Sequence, residues 1–209
     1  DSVQKPIVVL PAPKPVFAIV GGATVCSSKN LAIAVTNTTL SKGVPVFNWT
    51  IRNALNANTL ASVSSTSAAL PNFRIPDNIS LVDSVYEIKL SVSTTDGCTA
   101  DTTISLRVRP RPVSVVQLSN VANCGATNIV ATASTMASIK TNIWSWFSNS
   151  LNAPTPNISF TANTARFILP ENTTQQSIVY QIKVTDTTAF GCLDTASAVF
   201  TLYPKPQAR

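Results

Sequence analysis

The sequence contains no histidine. With it goes every Ser-His, Cys-His or His-based acid–base arrangement, the machinery of most hydrolases. Charge is also scarce: Asp, Glu, Lys and Arg make up 11% of the 209 residues, against about a quarter in an average globular chain. Together with 44% hydrophobic residues, this excludes disorder by charge repulsion and leaves ample material for a core. Glu is sparse and Met occurs once. Val, Ile, Thr and Ser dominate instead, a balance that suits pleated, half-buried strands better than helices. No apolar run approaches the ~20 residues that cross a bilayer as a helix. No signal peptide precedes Asp1 and no initiator Met is present, so the sequence reads as a mature or excised piece whose targeting segments lie elsewhere. Gly-rich phosphate loops and Asp-x-Asp-x-Asp calcium runs are missing too, and no cofactor is expected.

Lys plus Arg (15) exceed Asp plus Glu (9), for a formal net charge of +6. The positive charges are scattered; the densest group, Arg107, Arg109 and Arg111, alternates along one side of a strand and reads as a solvated strand end. Nucleic acid is not an expected partner.

What the sequence does have is a repeat. Pro13-Lys14-Pro15 recurs as Pro110-Arg111-Pro112 and as Pro204-Lys205-Pro206. From Pro15 to Pro112 is 97 residues and from Pro112 to Pro206 is 94, the usual length of an immunoglobulin-like sandwich. Inside the units Ile75-Pro76 matches Leu169-Pro170, Tyr86-Glu87-Ile88-Lys89-Leu90 matches Tyr180-Gln181-Ile182-Lys183-Val184, and Gly97-Cys98 matches Gly191-Cys192, all offset by 94. Cys26 corresponds to Cys124, and Phe47-Asn48-Trp49 resembles Trp144-Ser145-Trp146. The organisation implied is a segment 1–14 that is a linker or the last strand of an upstream repeat, domains over 15–111 and 112–206, and a linker 207–209.

Tyr86, Ile88, Leu90 and Val92 alternate with polar residues, the period-2 signature of a strand with one buried face. Thr95-Asp96-Gly97 then forms a hairpin turn, and residues 102–108 alternate again. Earlier strands fall near 15–20, 31–36, 45–52, 58–64 and 72–75, and in the second unit near 113–118, 127–133, 140–148, 157–161 and 165–169. Seven short strands per unit make the expected fold all-β, two tandem antiparallel sandwiches. Residues 4–10 look like a last strand, and equally like an ordinary linker or an orphan strand for another subunit's sheet.

Four cysteines at equivalent positions point to one bridge per unit, Cys26 with Cys98 and Cys124 with Cys192, each stabilising by about 4 kcal/mol in chain-entropy terms. Zinc is excluded by the absence of His and of Cys-x-x-Cys, and disulfides imply an extracytoplasmic setting. Phe47, Trp49, Trp144 and Trp146 read as core aromatics of the third strand, with an exposed carbohydrate platform at Trp144 and Trp146 as the rival. Tyr86 and Tyr180 read as packing residues whose hydroxyls bond nearby backbone. Asp96, Asp101, Asp186 and Asp194 flank the two hairpins as turn residues, with a weak calcium site as the alternative. Asn-x-Ser/Thr sites occur at Asn37, Asn48, Asn78, Asn157 and Asn172 and matter only if the source glycosylates Asn.

The Tyr-x-Ile-x-Leu/Val strand, the Gly-Cys turn, the Thr-rich final strand and the Pro-x-Pro exit together resemble the PKD-like and immunoglobulin-like repeats of giant cell-surface adhesins of gliding bacteria, of the SprB type. Phe47-Asn48-Trp49-Thr50-Ile51 stands where the best-known PKD domains carry Trp-Asp-Phe-Gly-Asp-Gly, so the resemblance is of the looser kind. It implies a non-enzymatic, exported surface or filament protein dependent on type IX secretion, whose partners are neighbouring repeats of the same polypeptide or fibre and surface glycans. It also implies O-glycosylation at Asp-Ser/Thr triplets, with Ser2, Ser84, Thr102, Thr187 and Thr195 as acceptors. The competing functions are a carbohydrate-binding accessory module of a secreted enzyme and a fibre subunit assembling by strand donation.

Overall fold

The computed structural model describes Gln4 and residues 6–27, 30–39, 43–70, 72–135 and 139–206, with only the backbone of residues 36–39. Ser2, the linker 207–209 and the side chain of Asn37 lie outside the described residues. The chain divides into unit 1, Asp1–Pro110, and unit 2, Arg111–Arg209. Every regular element among the described residues is a strand.

Unit 1 contains β1 (Lys14–Ile19), β2 (Thr24–Cys26), β3 (Asn30–Leu31), β4 (Ile33–Thr39), β5 (Pro45–Asn53), β6 (Thr59–Ser65), β7 (Phe73–Arg74), β8 (Ser84–Thr94) and β9 (Thr99–Arg109). One layer is the five-stranded sheet β2-β9-β8-β5-β6; the other is made of the pairs β1-β4 and β3-β7. The layers exist because β8 alternates strictly: Tyr86, Ile88, Leu90 and Val92 are buried while Lys89 between them is exposed. Their buried face meets Phe17, Ile19 and Leu31 of the opposite layer in one continuous core.

Unit 2 contains β10 (Ser114–Leu118), β11 (Ala122–Cys124), β12 (Thr127–Thr135), β13 (Ile139–Ser148), β14 (Asn157–Phe160), β15 (Thr164–Leu169), β16 (Ile178–Thr188) and β17 (Leu193–Tyr203). Its sheets are β10-β12-β15-β14 and β11-β17-β16-β13. Ile129, Ala131, Ala165 and Phe167 of the first pack on Tyr180, Ile182, Phe200 and Leu202 of the second. One strand changes layer between the units. β6 pairs with β5, whereas its sequence counterpart β14 pairs with β15 on the other layer.

Two strands lie outside the periodic pattern. β2 runs parallel to the end of β9, with Cys26 opposite Arg109, and β11 runs parallel to the end of β17, with Cys124 opposite Tyr203. Each is three residues long, too short to show alternation. Residues 6–10 form no strand, and Ile7, Val8 and Val9 are exposed; on this chain the segment pairs with neither sheet.

Candidate functional site

The cysteines show what the short parallel strands do. Cys98 and Cys192 close the turn between the last two strands of their units, their carbonyls accepting from Thr94 N and Thr188 N, each at 2.9 Å. Gly97 and Gly191 precede them at φ of 80° and 79°, a left-handed conformation that glycine adopts without steric cost. Cys26 and Cys124 sit at the opposite ends of β9 and β17. Ten residues of strand separate Thr99 from Arg109 and Leu193 from Tyr203, roughly 34 Å at ~3.4 Å each, whereas a disulfide needs Cα atoms within about 7 Å. The expected pairs Cys26–Cys98 and Cys124–Cys192 are therefore not formed. Cys26 and Cys192 are disulfide-bonded, and Cys98 and Cys124 are free thiols.

The aromatics follow ladder register. Trp49 faces Leu90 and Trp144 faces Val184, and Leu90 and Val184 are equivalent. Trp49 therefore corresponds to Trp144, Ile51 to Trp146 and Phe47 to Asn142, two residues away from the match that Phe47-Asn48-Trp49 and Trp144-Ser145-Trp146 imply. Phe47, Trp49, Tyr86 and Tyr180 are buried. Trp144 and Trp146 are half-buried and pack against the core of unit 2, where Trp146 lies 6.0 Å from the Tyr180 ring. It is Ile143 and Phe147, on the other side of β13, that are exposed.

The Tyr180 hydroxyl donates to Pro154 O at 2.9 Å, 26 residues upstream on the β13–β14 connection. Burial pushes its pKa up to about 12. Because the folded state favours the neutral phenol, this contribution to stability is fully present below pH 10 and is lost as pH rises through 12. An alkaline spectrophotometric titration is expected to show a phenolate transition at about 12 that Tyr180→Phe removes and that denaturant moves down.

Where unit 1 places the apolar pair Phe47 and Val92 opposite each other, unit 2 places Asn142 and Asp186. Asp186 is fully buried; it accepts from Asn142 Nδ2 at 2.8 Å and from Ser114 Oγ at 2.6 Å. Asp194 accepts from Ser114 N at 2.8 Å and pairs with Arg111 at 2.9 Å. The two carboxylates thus fix the first strand of unit 2 on its own hairpin. Asp101 pairs with Lys89 and Asp83 with Arg107 and Arg109. Among the described residues no group of three metal-ligating side chains occurs.

The acceptor candidates at these triplets differ in environment. Thr195 is exposed, Ser84 and Thr187 are half-buried, and the Thr102 hydroxyl donates to Pro15 O at 2.6 Å.

Sequence reasoning missed the role of two of the Asn-x-Ser/Thr sites. Asn78 and Asn172 are both buried. Asn172 Nδ2 donates to Gln176 O at 2.8 Å and Leu202 O at 3.0 Å, while its Oδ1 accepts from Thr174 N and Oγ1 at 2.9 and 2.7 Å. Asn78 repeats the set with Val82 O, Val108 O and the backbone and hydroxyl of Ser80. Both clamp the loop before the penultimate strand onto the last strand. The signal was available in the sequence, since 78 and 172 are themselves offset by 94. Asn157 is exposed and Asn48 accepts from Ser64 Oγ at 2.5 Å.

Two antiparallel layers, the last two strands as a long hairpin and a short parallel strand joining the first layer's edge to the final strand decide the fold. Both units are immunoglobulin-like sandwiches. No protein-family model and no curated protein sequence matches the chain. Solved structures similar to the chain include the mouse nectin-like molecule 4 ectodomain, 16% identical over 97% of this chain and 68% of that one, TM-score 0.34. The three N-terminal domains of the bacteriophage RB49 Highly Immunogenic Outer Capsid protein are 9% identical over 94% of this chain and 71% of that one, TM-score 0.43. The Bacteroides ovatus protein SGBP-B, in complex with a mixed-linkage heptasaccharide, is 12% identical over 92% of this chain and 47% of that one, TM-score 0.30. No helix among the described residues is long and apolar enough to cross a membrane.

Proposed function

We propose that the chain is a non-enzymatic structural or adhesive repeat segment of an exported cell-surface protein, built to link its neighbours in series. The observation that carries this reading is where the chain enters and leaves each immunoglobulin-like unit. In unit 1 Pro15 lies beside Thr102, near the hairpin, and the chain leaves from Arg109 at the far end of β9. In unit 2 Ser114 is held by Asp186 and Asp194 near the hairpin, and the chain leaves from Tyr203. Tension on the chain would therefore run along each sandwich and load the parallel pairs β2–β9 and β11–β17 in shear, with their hydrogen bonds strained together rather than one at a time. The disulfide-bonded Cys26 and Cys192 support export to an oxidising compartment. Trp144 and Trp146, packed on the core, support a structural rather than a sugar-stacking role.

Single-molecule pulling on the chain by its ends under reducing conditions tests this. The expected trace has two separate unfolding steps, each releasing about 30 nm, given ~95 residues at up to ~3.6 Å each less the folded length. A gradual extension with no discrete steps would contradict it.

A further inference from the structure

The four cysteines occupy two kinds of position. Cys98 and Cys192 lie at the leading end of their sandwiches, in the same turn with the same carbonyl bond to Thr94 N or Thr188 N. Cys26 and Cys124 lie at the trailing end, each in parallel register with the end of the last strand. The disulfide-bonded set contains one of each kind, Cys192 and Cys26. The free set also contains one of each kind: Cys98, half-buried, and Cys124, exposed. Bonding state therefore does not follow from the kind of position. Each kind sustains a disulfide in one unit, so each free thiol has a bonded counterpart in the same local geometry.

We propose that Cys98 and Cys124 are bonding sites for further sandwiches of this kind, Cys124 taking the leading-end cysteine of a sandwich that follows and Cys98 the trailing-end cysteine of one that precedes. This rests on the reading of the chain as a link in series. The opposite placement of the two thiols, one at the leading end of unit 1 and one at the trailing end of unit 2, makes the connection head-to-tail. With a second copy of this chain as partner, each copy offers one thiol of each kind, so bonding passes from copy to copy.

The bond forms by thiol–disulfide exchange. The Cys124 thiolate attacks a small disulfide such as oxidised glutathione and releases one glutathione thiol. The Cys98 thiolate of a second copy then attacks the Cys124 sulfur of the mixed disulfide and releases the second. Two protein thiols lose two protons and two electrons to the oxidant, which is reduced to two thiols.

The test is to incubate the purified chain with oxidised glutathione, then run non-reducing electrophoresis and peptide mass spectrometry. The expected result is a ladder of dimers, trimers and longer species that collapses on reduction, with a linked peptide joining Cys98 to Cys124. Cys98→Ser and Cys124→Ser are each expected to remove the ladder, and mixing them to restore heterodimers only. Wild-type chain that stays monomeric, or a ladder that joins like to like, would overturn the proposal. Both serine variants are also pulled. Two unfolding steps in a chain that never polymerises would remove the covalent linkage and leave the series role standing, whereas loss of the steps would sink the series reading itself.

Discussion

Replacing Asn172 with Ala is expected to lower the melting temperature of unit 2 by roughly 15–25 °C while leaving unit 1 unchanged. The substitution removes four hydrogen bonds made by one fully buried amide and leaves Leu202 O in the interior without its side-chain donor. At about 1 kcal/mol net per bond, with more where a buried group loses its partner, the loss is about 3–4 kcal/mol, and a domain of this size shifts by about 4–8 °C per kcal/mol. That is a large share of the ~5–15 kcal/mol that holds such a domain folded. Asn172→Asp is expected to be no better, since it replaces two donors with oxygen facing the carbonyls of Gln176 and Leu202. Asn78→Ala mirrors the effect in unit 1. Differential scanning calorimetry, which resolves the two transitions, checks both.

The second large effect falls on Trp49. Its side chain is 1% exposed and meets Phe17 of the opposite layer edge-on, with ring centroids 4.9 Å apart and planes at 75°. Trp49→Ala removes the largest side chain of the unit 1 core and leaves a cavity between layers, at a cost of about 3–5 kcal/mol. Trp49→Phe is expected to cost far less, about 1 kcal/mol, because the indole N–H has no hydrogen-bond partner in the structure and the ring contact survives. Trp144 stands at the equivalent rung but is only half-buried, so Trp144→Ala is expected to cost about half as much as Trp49→Ala by area lost. Chemical denaturation of the four proteins, with the wild type as reference, orders them. Equal losses at Trp49 and Trp144 would contradict the difference in their burial.

Which parts of this were legible beforehand follows from length and period. β8 and β16 announce themselves because eleven residues of strict alternation have one stable solution, a strand with one face in a core. The turns after them follow from Gly97 and Gly191. By contrast β2 and β11 have three residues each and pair in parallel with a strand some eighty residues later in sequence, so no local pattern marks them. Missing them misplaced Cys26 and Cys124 and made within-unit disulfides look natural. The third strands misled for another reason. Trp-x-Trp and Phe-x-Trp look alike, but Asn142 rather than Trp144 occupies the rung of Phe47, because unit 2 carries the polar Asp186 where unit 1 carries Val92. The Asn-x-Ser/Thr clamp was hidden by a motif with a more familiar meaning, although burial of Asn78 and Asn172 leaves their amides no access to an enzyme in the folded chain.

The placement of the cysteines is tested most directly by alkylating the unreduced monomeric chain, digesting it and reading the linked peptides by mass spectrometry. Cys98 and Cys124 are expected to carry the alkyl label, with Cys26 and Cys192 recovered only as disulfides. A peptide joining Cys26 to Cys98, or Cys124 to Cys192, would contradict the parallel strands that hold Cys26 and Cys124 at the far ends of β9 and β17.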